Sequence, residues 1–445
     1  YLYAGVADLY LESGEEQLMH NLTAIWQDIT QRKMYINGAC GALYDGTSPD
    51  GTNYTPDSIQ KVHQSYGRPY QLPHATAHNE TCANIGNMLF NWRMLLATGD
   101  AKYADLVENC LYNSILCGIS LDGEHYFYTN PLRLTDKLPY KLRWPKERRK
   151  YISCFCCPPN TLRTLCQAQD YVYTTAERRL YVNTYGESRV TATVGGVGTV
   201  SMSQQTDYPW DGHVSFTVDA LIVFKNTPST RNKSCPCCQS CLQKAFKNTP
   251  GTRNKSCPCC QSCLQKAKKG SAFDIALRIP SWTETLFIKV NGEPADYAVE
   301  KGYAIVSRQW KTGDVLTCEM SLEPRVIEAN PLVEENRGQV AVMRGPILYC
   351  LESTDLAGEP GIPADIDDIA LPVNARFTPV EVTIGGSRMM ALETEAYVRG
   401  GDDWRGQLYR PAAVYKEKKT VRLIPYYAWG NRGKSEMTVW IPAVY

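Results

Sequence analysis

The apolar residues of this chain change their spacing once, near Leu180, and that change limits what the chain can fold into. Upstream they recur every three to four residues, the period of a helix with one buried face. This pattern marks helices over Tyr1–Leu11, Glu15–Thr30, Glu80–Thr98 and Lys102–Ile119, broken at Ser13-Gly14 and at Gly99-Asp100. A further helix starts near Pro158, where proline suits a first helical position, and runs to about Thr174. Long polar loops, 37–78 and 121–153, lie between them and are rich in Gly, Pro, Tyr and Asp. Long ordered loops on a helical scaffold commonly carry function. Downstream the period falls to two. VSFTV, FDIALRIP, LFIKVNGE, YAIVSR, VLTCEMSL, GQVAVMRGPILYCLES and TVRLIPYYAWG read as short strands bounded by turn residues. So many strands in succession imply sandwich architecture. The expected fold class is multidomain, α then β.

Composition narrows the partners. A net charge of +1 gives no general pull toward nucleic acid or a membrane surface. No stretch approaches the roughly 20 apolar residues of a membrane span. The basic run Lys137–Lys150 is interrupted by prolines and apolar residues and reads as a solvated loop. The chain opens at Tyr1 inside a helical pattern, so upstream residues are expected, and the compartment stays open between cytoplasm and periplasm. A homodimer is compatible with the sequence.

The chain holds 18 cysteines, distributed unevenly. Eight fall in Cys235–Cys263, and Cys154, Cys156 and Cys157 form a second cluster. Single cysteines such as Cys110, Cys166 and Cys318 read as small buried hydrophobes. Reduced thiols with a metal suit this distribution better than a disulfide framework. The first cluster sits in a tandem repeat of 22 residues, Phe224–Ala245 and Phe246–Ala267, differing only at Ser229/Gly251. Each copy carries Cys-x-Cys-Cys-x-x-Cys and could bind zinc, or the pair could be a duplicated loop insert without a role.

Two motifs carry chemistry. His78-Asn79-Glu80-Thr81-Cys82 opens one helix, and Cys154-Phe155-Cys156-Cys157-Pro158-Pro159-Asn160 opens another. Glu80, Cys82, Cys156 and Cys157 together make a four-donor zinc site, since thiolate and carboxylate are both accepted donors. Spacing alone leaves structural zinc, catalytic zinc and unrelated thiols open. The helix N-terminus and a metal would both favour thiolates at Cys156 and Cys157.

HNETC and CCPPN resemble the signature motifs of glycoside hydrolase family 127, the β-L-arabinofuranosidases. The likeness extends through RKMYINGACGALYDG, YGRPYQLP, GISLDGEHYFYTNPL, YPWDGHVSFTV, ALRIPSW, GQVAVMRGP and RLIPYYAWGNR, in order along nearly the whole chain. The resemblance implies an (α/α)6 barrel followed by β-sandwich domains. Here that gives the C-terminal half of a barrel over 1–178, a sandwich over 179–330 interrupted by the insert at about 224–267, and a second sandwich or a continuation of the β region over 331–445. It further implies a Zn2+ ion held by Glu80, Cys82, Cys156 and Cys157, with Cys156 as nucleophile of a retaining exo-glycosidase. The substrate would be a β-linked L-arabinofuranose, or a related furanose, in a plant-type oligosaccharide. Tyr128, in HYFYTN, matches a position that contacts the sugar, and Cys154 is given a supporting role.

Two departures bear on mechanism. Gln64 stands where the family has its acid/base glutamate, and an amide cannot exchange a proton as a carboxyl does. Gln64 therefore reads as a sugar-hydroxyl hydrogen bonder, with Glu80 as fallback acid. Residues 1–175 also offer only about half the helices of a complete barrel, so weak activity or none is expected from these residues alone. His63, His74 and His78 read as surface or supporting groups. Two rivals remain: a non-catalytic protein with a structural zinc site, and a thiol-rich binder acting through the repeat.

Overall fold

The computed structural model describes residues 1–41, 66–138, 144–223, 272–283, 286–356, 365–399, 406–412, 415 and 417–445. Gln64, His63 and the tandem repeat lie outside the described residues. The described α-helices are α1 (Leu2–Ser13), α2 (Glu16–Arg32), α3 (Thr81–Thr98), α4 (Ala101–Asn109) and α5 (Cys157–Cys166). The expected breaks are real. Gly14 (φ 68°) ends α1 and Gly99 (φ 66°) ends α3 in the left-handed conformation that glycine adopts without strain. Asp100 then caps α4 by accepting the Lys102 amide at 3.1 Å.

Helix α3 is buried on most of its circumference, from Cys82 and Ile85 to Met94 and Leu95, and is the hub of the helical part. It packs against α1, α4 and α5. Beyond α4 the chain continues as a wider π-helical turn, Cys110–Ile115, and a 3-10 turn, Leu116–Gly118. There Asn113 donates to the Pro346 carbonyl at 2.9 Å and accepts the Leu348 amide at 2.9 Å, tying helices to the C-terminal sheet.

The β half begins earlier than the periodicity suggests. Helix α5 stops at Cys166 rather than near Thr174, a 3-10 turn spans Ala168–Tyr171, and Tyr173–Ala176 is already a strand. Its Tyr and Thr residues pair antiparallel with Arg179–Val182, and the gain of ladder bonds outweighs the weak helical preference of this stretch. A five-stranded and a six-stranded sheet follow. Val182, Val200, Phe216, Ile275, Ile288 and Leu316 fill the space between them.

Strict alternation lets single strands serve two cores. In Ala272–Arg278, Phe273, Ile275 and Leu277 face the sandwich interior, whereas Ala276 joins α3 and α4 in the helical core. The C-terminal sheet of ten strands does the same. In Ile347–Glu352, Ile347, Tyr349 and Leu351 enter one core. Leu348 and Cys350 enter another, shared with Phe127, Leu132 and Leu134 of the site loop. The helices thus rest on both β regions. Each buried leucine, isoleucine or phenylalanine in these cores stabilises the arrangement by about 1.5–3 kcal/mol.

Two readings of single residues change. Cys166 is exposed on the last turn of α5, whereas Cys110 and Cys318 are buried as expected. The basic run is not wholly solvated either, because Arg148 is buried between Phe127 and Trp429. No helix among the described residues is long and apolar enough to cross a membrane.

Candidate metal centre

Two helix starts meet. Glu80 precedes the first turn of α3 and Cys82 lies within it, while Cys156 and Cys157 begin α5, whose prolines fit positions that need no amide donor. One donor atom from each of Glu80, Cys82, Cys156 and Cys157 lies within 4.8 Å of every other. Cys156 donates to Glu80 Oε1 at 3.4 Å, and its sulfur is 3.7 Å from that of Cys157. Sulfurs of a tetrahedral zinc site with bonds near 2.3 Å stand about 3.8 Å apart, so this donor set fits zinc in kind and in spacing.

The electrostatics point the same way. The Cys157 thiol hydrogen-bonds to Cys82, which brings Cys82 down to about 7 and holds Cys157 well above the usual thiol range. Burial, aided by the neighbouring thiols, pushes Cys156 up to about 12. The cluster therefore gives up one proton, from Cys82, far more readily than the other two. A divalent cation amid the three sulfurs would reverse that balance and hold them all as thiolates.

The loop carrying Tyr128 frames the cluster. Thr81 donates its amide to the Tyr128 carbonyl at 3.0 Å and its hydroxyl to the Phe127 carbonyl at 3.0 Å. Asn130 donates to the Asn79 carbonyl at 2.8 Å and to Thr81 Oγ1 at 3.0 Å. Asn79 has φ 36°, a strained value for a side-chain-bearing residue, and these contacts hold it there. Tyr128 stacks on Trp144 with ring centroids 3.7 Å apart. Burial, then the Glu80 carboxylate, hold its phenol well above the usual range, so it stays a neutral donor. Tyr126 pairs with Arg149 by two amide–carbonyl bonds of 2.9 Å, and Arg148 donates to the Cys117 and Tyr427 carbonyls at 3.0 and 3.1 Å. This clamp fixes the approach to the cysteine loop from the C-terminal sheet.

The histidines divide. His78 meets the Tyr128 ring edge-on at 5.9 Å, with Nε2 3.9 Å from Glu80 Oε2, so it belongs to the site. His74 is buried elsewhere. It bonds Asn336 Oδ1 at 2.8 Å, lies parallel to Trp440, and anchors the loop to the C-terminal region. A cleft of about 340 Å³ opens beside the cluster, with Cys40, Tyr66, His78, Glu80 and Cys82 among its walls. Cys154, half-buried, has its sulfur 3.6 Å from that of Cys156. Sequence reasoning brought the four donors and Tyr128 together but missed Thr81, Asn130, Trp144 and Arg148. A lone tryptophan before a proline and an arginine within a basic run carried no signal of burial.

The chain is similar to known proteins along nearly its whole length. The model of the β-L-arabinofuranosidase, GH127 catalytic domain, matches residues 3–170, the GH127 middle domain matches 179–232 and 257–322, and the family's C-terminal domain matches 324–442. The chain belongs to glycoside hydrolase family 127. The interruption in the GH127 middle-domain match, 233–256, falls inside the tandem repeat. A non-reducing end β-L-arabinofuranosidase of Bifidobacterium longum subsp. longum is 28% identical, across 99% of this chain and 58% of the relative. A solved glycoside hydrolase is 53% identical with TM-score 0.84, matching all of this chain and 65% of its own. A GH127 β-L-arabinofuranosidase from Geobacillus stearothermophilus is 30% identical with TM-score 0.78, and 60% of its chain is covered. The GH127 chain described here thus spans about three-fifths of these relatives.

Proposed function

We propose that these residues form part of a retaining exo-glycosidase that releases β-linked L-arabinofuranose, or a related furanose, from plant-type glycans. The reading is carried by the convergence of Glu80, Cys82, Cys156 and Cys157 in a chain that matches a β-L-arabinofuranosidase catalytic domain. Residues 1–178 are assigned the catalytic helices, and 179–330 and 331–445 the two β units that brace them.

Glu80, Cys82, Cys156 and Cys157 would hold Zn2+, which supplies a depressed thiol pKa and a fixed sulfur position. Cys156, the exposed member of the cluster, is the nucleophile. Its sulfur attacks the anomeric carbon as the bond to the leaving oxygen breaks, giving a thioglycosyl enzyme. Water then attacks the same carbon from the freed face and releases the sulfur, so two inversions retain configuration. Tyr128, kept neutral by its buried setting, donates to a sugar hydroxyl. Gln64 is assigned a second hydroxyl contact, and Glu80 the proton transfers, as the only carboxyl group of the cluster.

The test pairs native mass spectrometry with turnover of an aryl β-L-arabinofuranoside by the chain with its upstream barrel half restored, since weak activity or none is expected from these residues alone. One zinc per chain, sugar release with retained configuration, and a sugar adduct on Cys156 are expected, with Cys156→Ser losing turnover and adduct together. Sugar release that persists in Cys156→Ser would sink the assignment. Zinc binding without any release in the wild type would favour the structural-zinc reading instead.

A further inference from the structure

The proposed chemistry uses Cys156 but leaves Cys154 without a task, although the two sulfurs are 3.6 Å apart. We propose that Cys154 and Cys156 form a reversible disulfide under peroxide, a modification site that closes the cluster by removing Cys156 from it. The inference rests on the placement of the thiols and stands whether or not Cys156 is a glycosidase nucleophile.

Three neighbouring thiols could in principle pair with Cys156 or with one another, and exposure separates them. Cys82 lines the cleft but is only 8% exposed, and Cys157 is fully buried at 0%, so a water-borne oxidant reaches the exposed Cys156 more readily than either. Cys156 is exposed and Cys154 is half-buried. The Cys156 and Cys157 sulfurs are also close, at 3.7 Å, but they belong to adjacent residues, where a disulfide forces the intervening peptide out of its relaxed geometry. Cys154 lies two residues away, in the loop before α5, so the sulfurs can close to about 2.05 Å without unwinding the helix.

The steps balance with hydrogen peroxide as oxidant. The Cys156 thiol sulfur attacks one peroxide oxygen. An S–O bond forms, the O–O bond breaks, and the departing hydroxide takes up the thiol's proton to leave as water. Cys154 sulfur then attacks the sulfenic sulfur, forming S–S and breaking S–O, and a second water leaves with the Cys154 proton. Two thiols have given two electrons to one peroxide. A dithiol reductant reverses the reaction by exchange. Without Cys154 the sulfenic acid would persist and be carried on to sulfinic acid, which a dithiol does not reduce.

The experiment treats the whole chain with hydrogen peroxide, then splits each sample, with and without dithiothreitol, for tryptic mass mapping. Cleavage after Lys150 and Arg163 places Cys154, Cys156 and Cys157 on one peptide and Cys82 on another. The expected wild-type peptide loses two hydrogens and resists fragmentation between 154 and 156 but not between 156 and 157. Dithiothreitol restores its mass. In Cys154→Ser and Cys154→Ala, Cys156 is expected to gain two oxygens that dithiothreitol does not remove. A cross-link joining the two peptides, a ring closed on Cys157, or equal dithiothreitol recovery in wild type and variants would overturn the proposal.

Discussion

Arg278→Met tests how the helices are fastened to the sandwich. Arg278 is fully buried, and its guanidinium meets Asp105 and Glu108, both on α4, and the Asn183 carbonyl. Glu108, 2% exposed, also accepts from Tyr208 at 2.6 Å and from Trp282 at 3.4 Å. Burial alone already pushes the Glu108 carboxyl up, with Arg278 as the chief opposing influence. Methionine removes that influence and leaves an uncompensated buried carboxylate, a loss of about 3–5 kcal/mol. With a urea slope near ~3 kcal/mol per M, the midpoint at pH 7.5 should fall by about 1–1.7 M. Because the folded-state pKa of Glu108 is raised, its penalty is absent below the unfolded value and grows as pH rises through the folded one. The Arg278→Met deficit should therefore shrink at pH 5, and Glu108→Gln should restore part of it at pH 7.5. The assay is urea unfolding followed by tryptophan fluorescence for both singles and the double variant. A deficit that is equal at both pH values, or additive in the double variant, would refute the argument that an unpaired Glu108 is the cause.

Burial holds His74 down to about 4, so it is neutral in the fold and charged when unfolded. Stability should fall by about 3 kcal/mol as pH drops from 6.5 to 4, and His74→Gln should flatten that window in pH-dependent urea unfolding. Arg148→Met leaves the Cys117, Tyr427 and Trp429 carbonyls without their shared donor, at about 1–3 kcal/mol for each group that water cannot reach. A thermal melt should drop, and zinc affinity measured with a competing chelator should weaken, because the Tyr128 loop loses its brace. Cys157→Ala removes a buried donor of the cluster and should abolish zinc retention in native mass spectrometry. Retention of the ion in that variant would place it elsewhere, the tandem repeat included.

The sequence by itself determined the order of helices and strands and the Gly14 and Gly99 stops, and it named Glu80, Cys82, Cys156 and Cys157 as candidate donors. These depend on local physics, on the period of apolar residues and on the few residue types that bind zinc, so short windows of sequence carry them. Family membership was legible for the same reason, since HNETC and CCPPN bring their chemistry with them. Only the tertiary structure decided the rest. Tyr173–Ala176 became a strand because Arg179–Val182 offered it a ladder. Arg148 and His74 left solvent because carbonyls, an amide and stacked rings from distant segments replaced their water. Ala276 entered the helical core because the pleat turns alternate residues to opposite faces, and the helices cover only one of them. Each of these outcomes depends on a partner a hundred or more residues away or on the far side of a turn, and no local pattern names that partner.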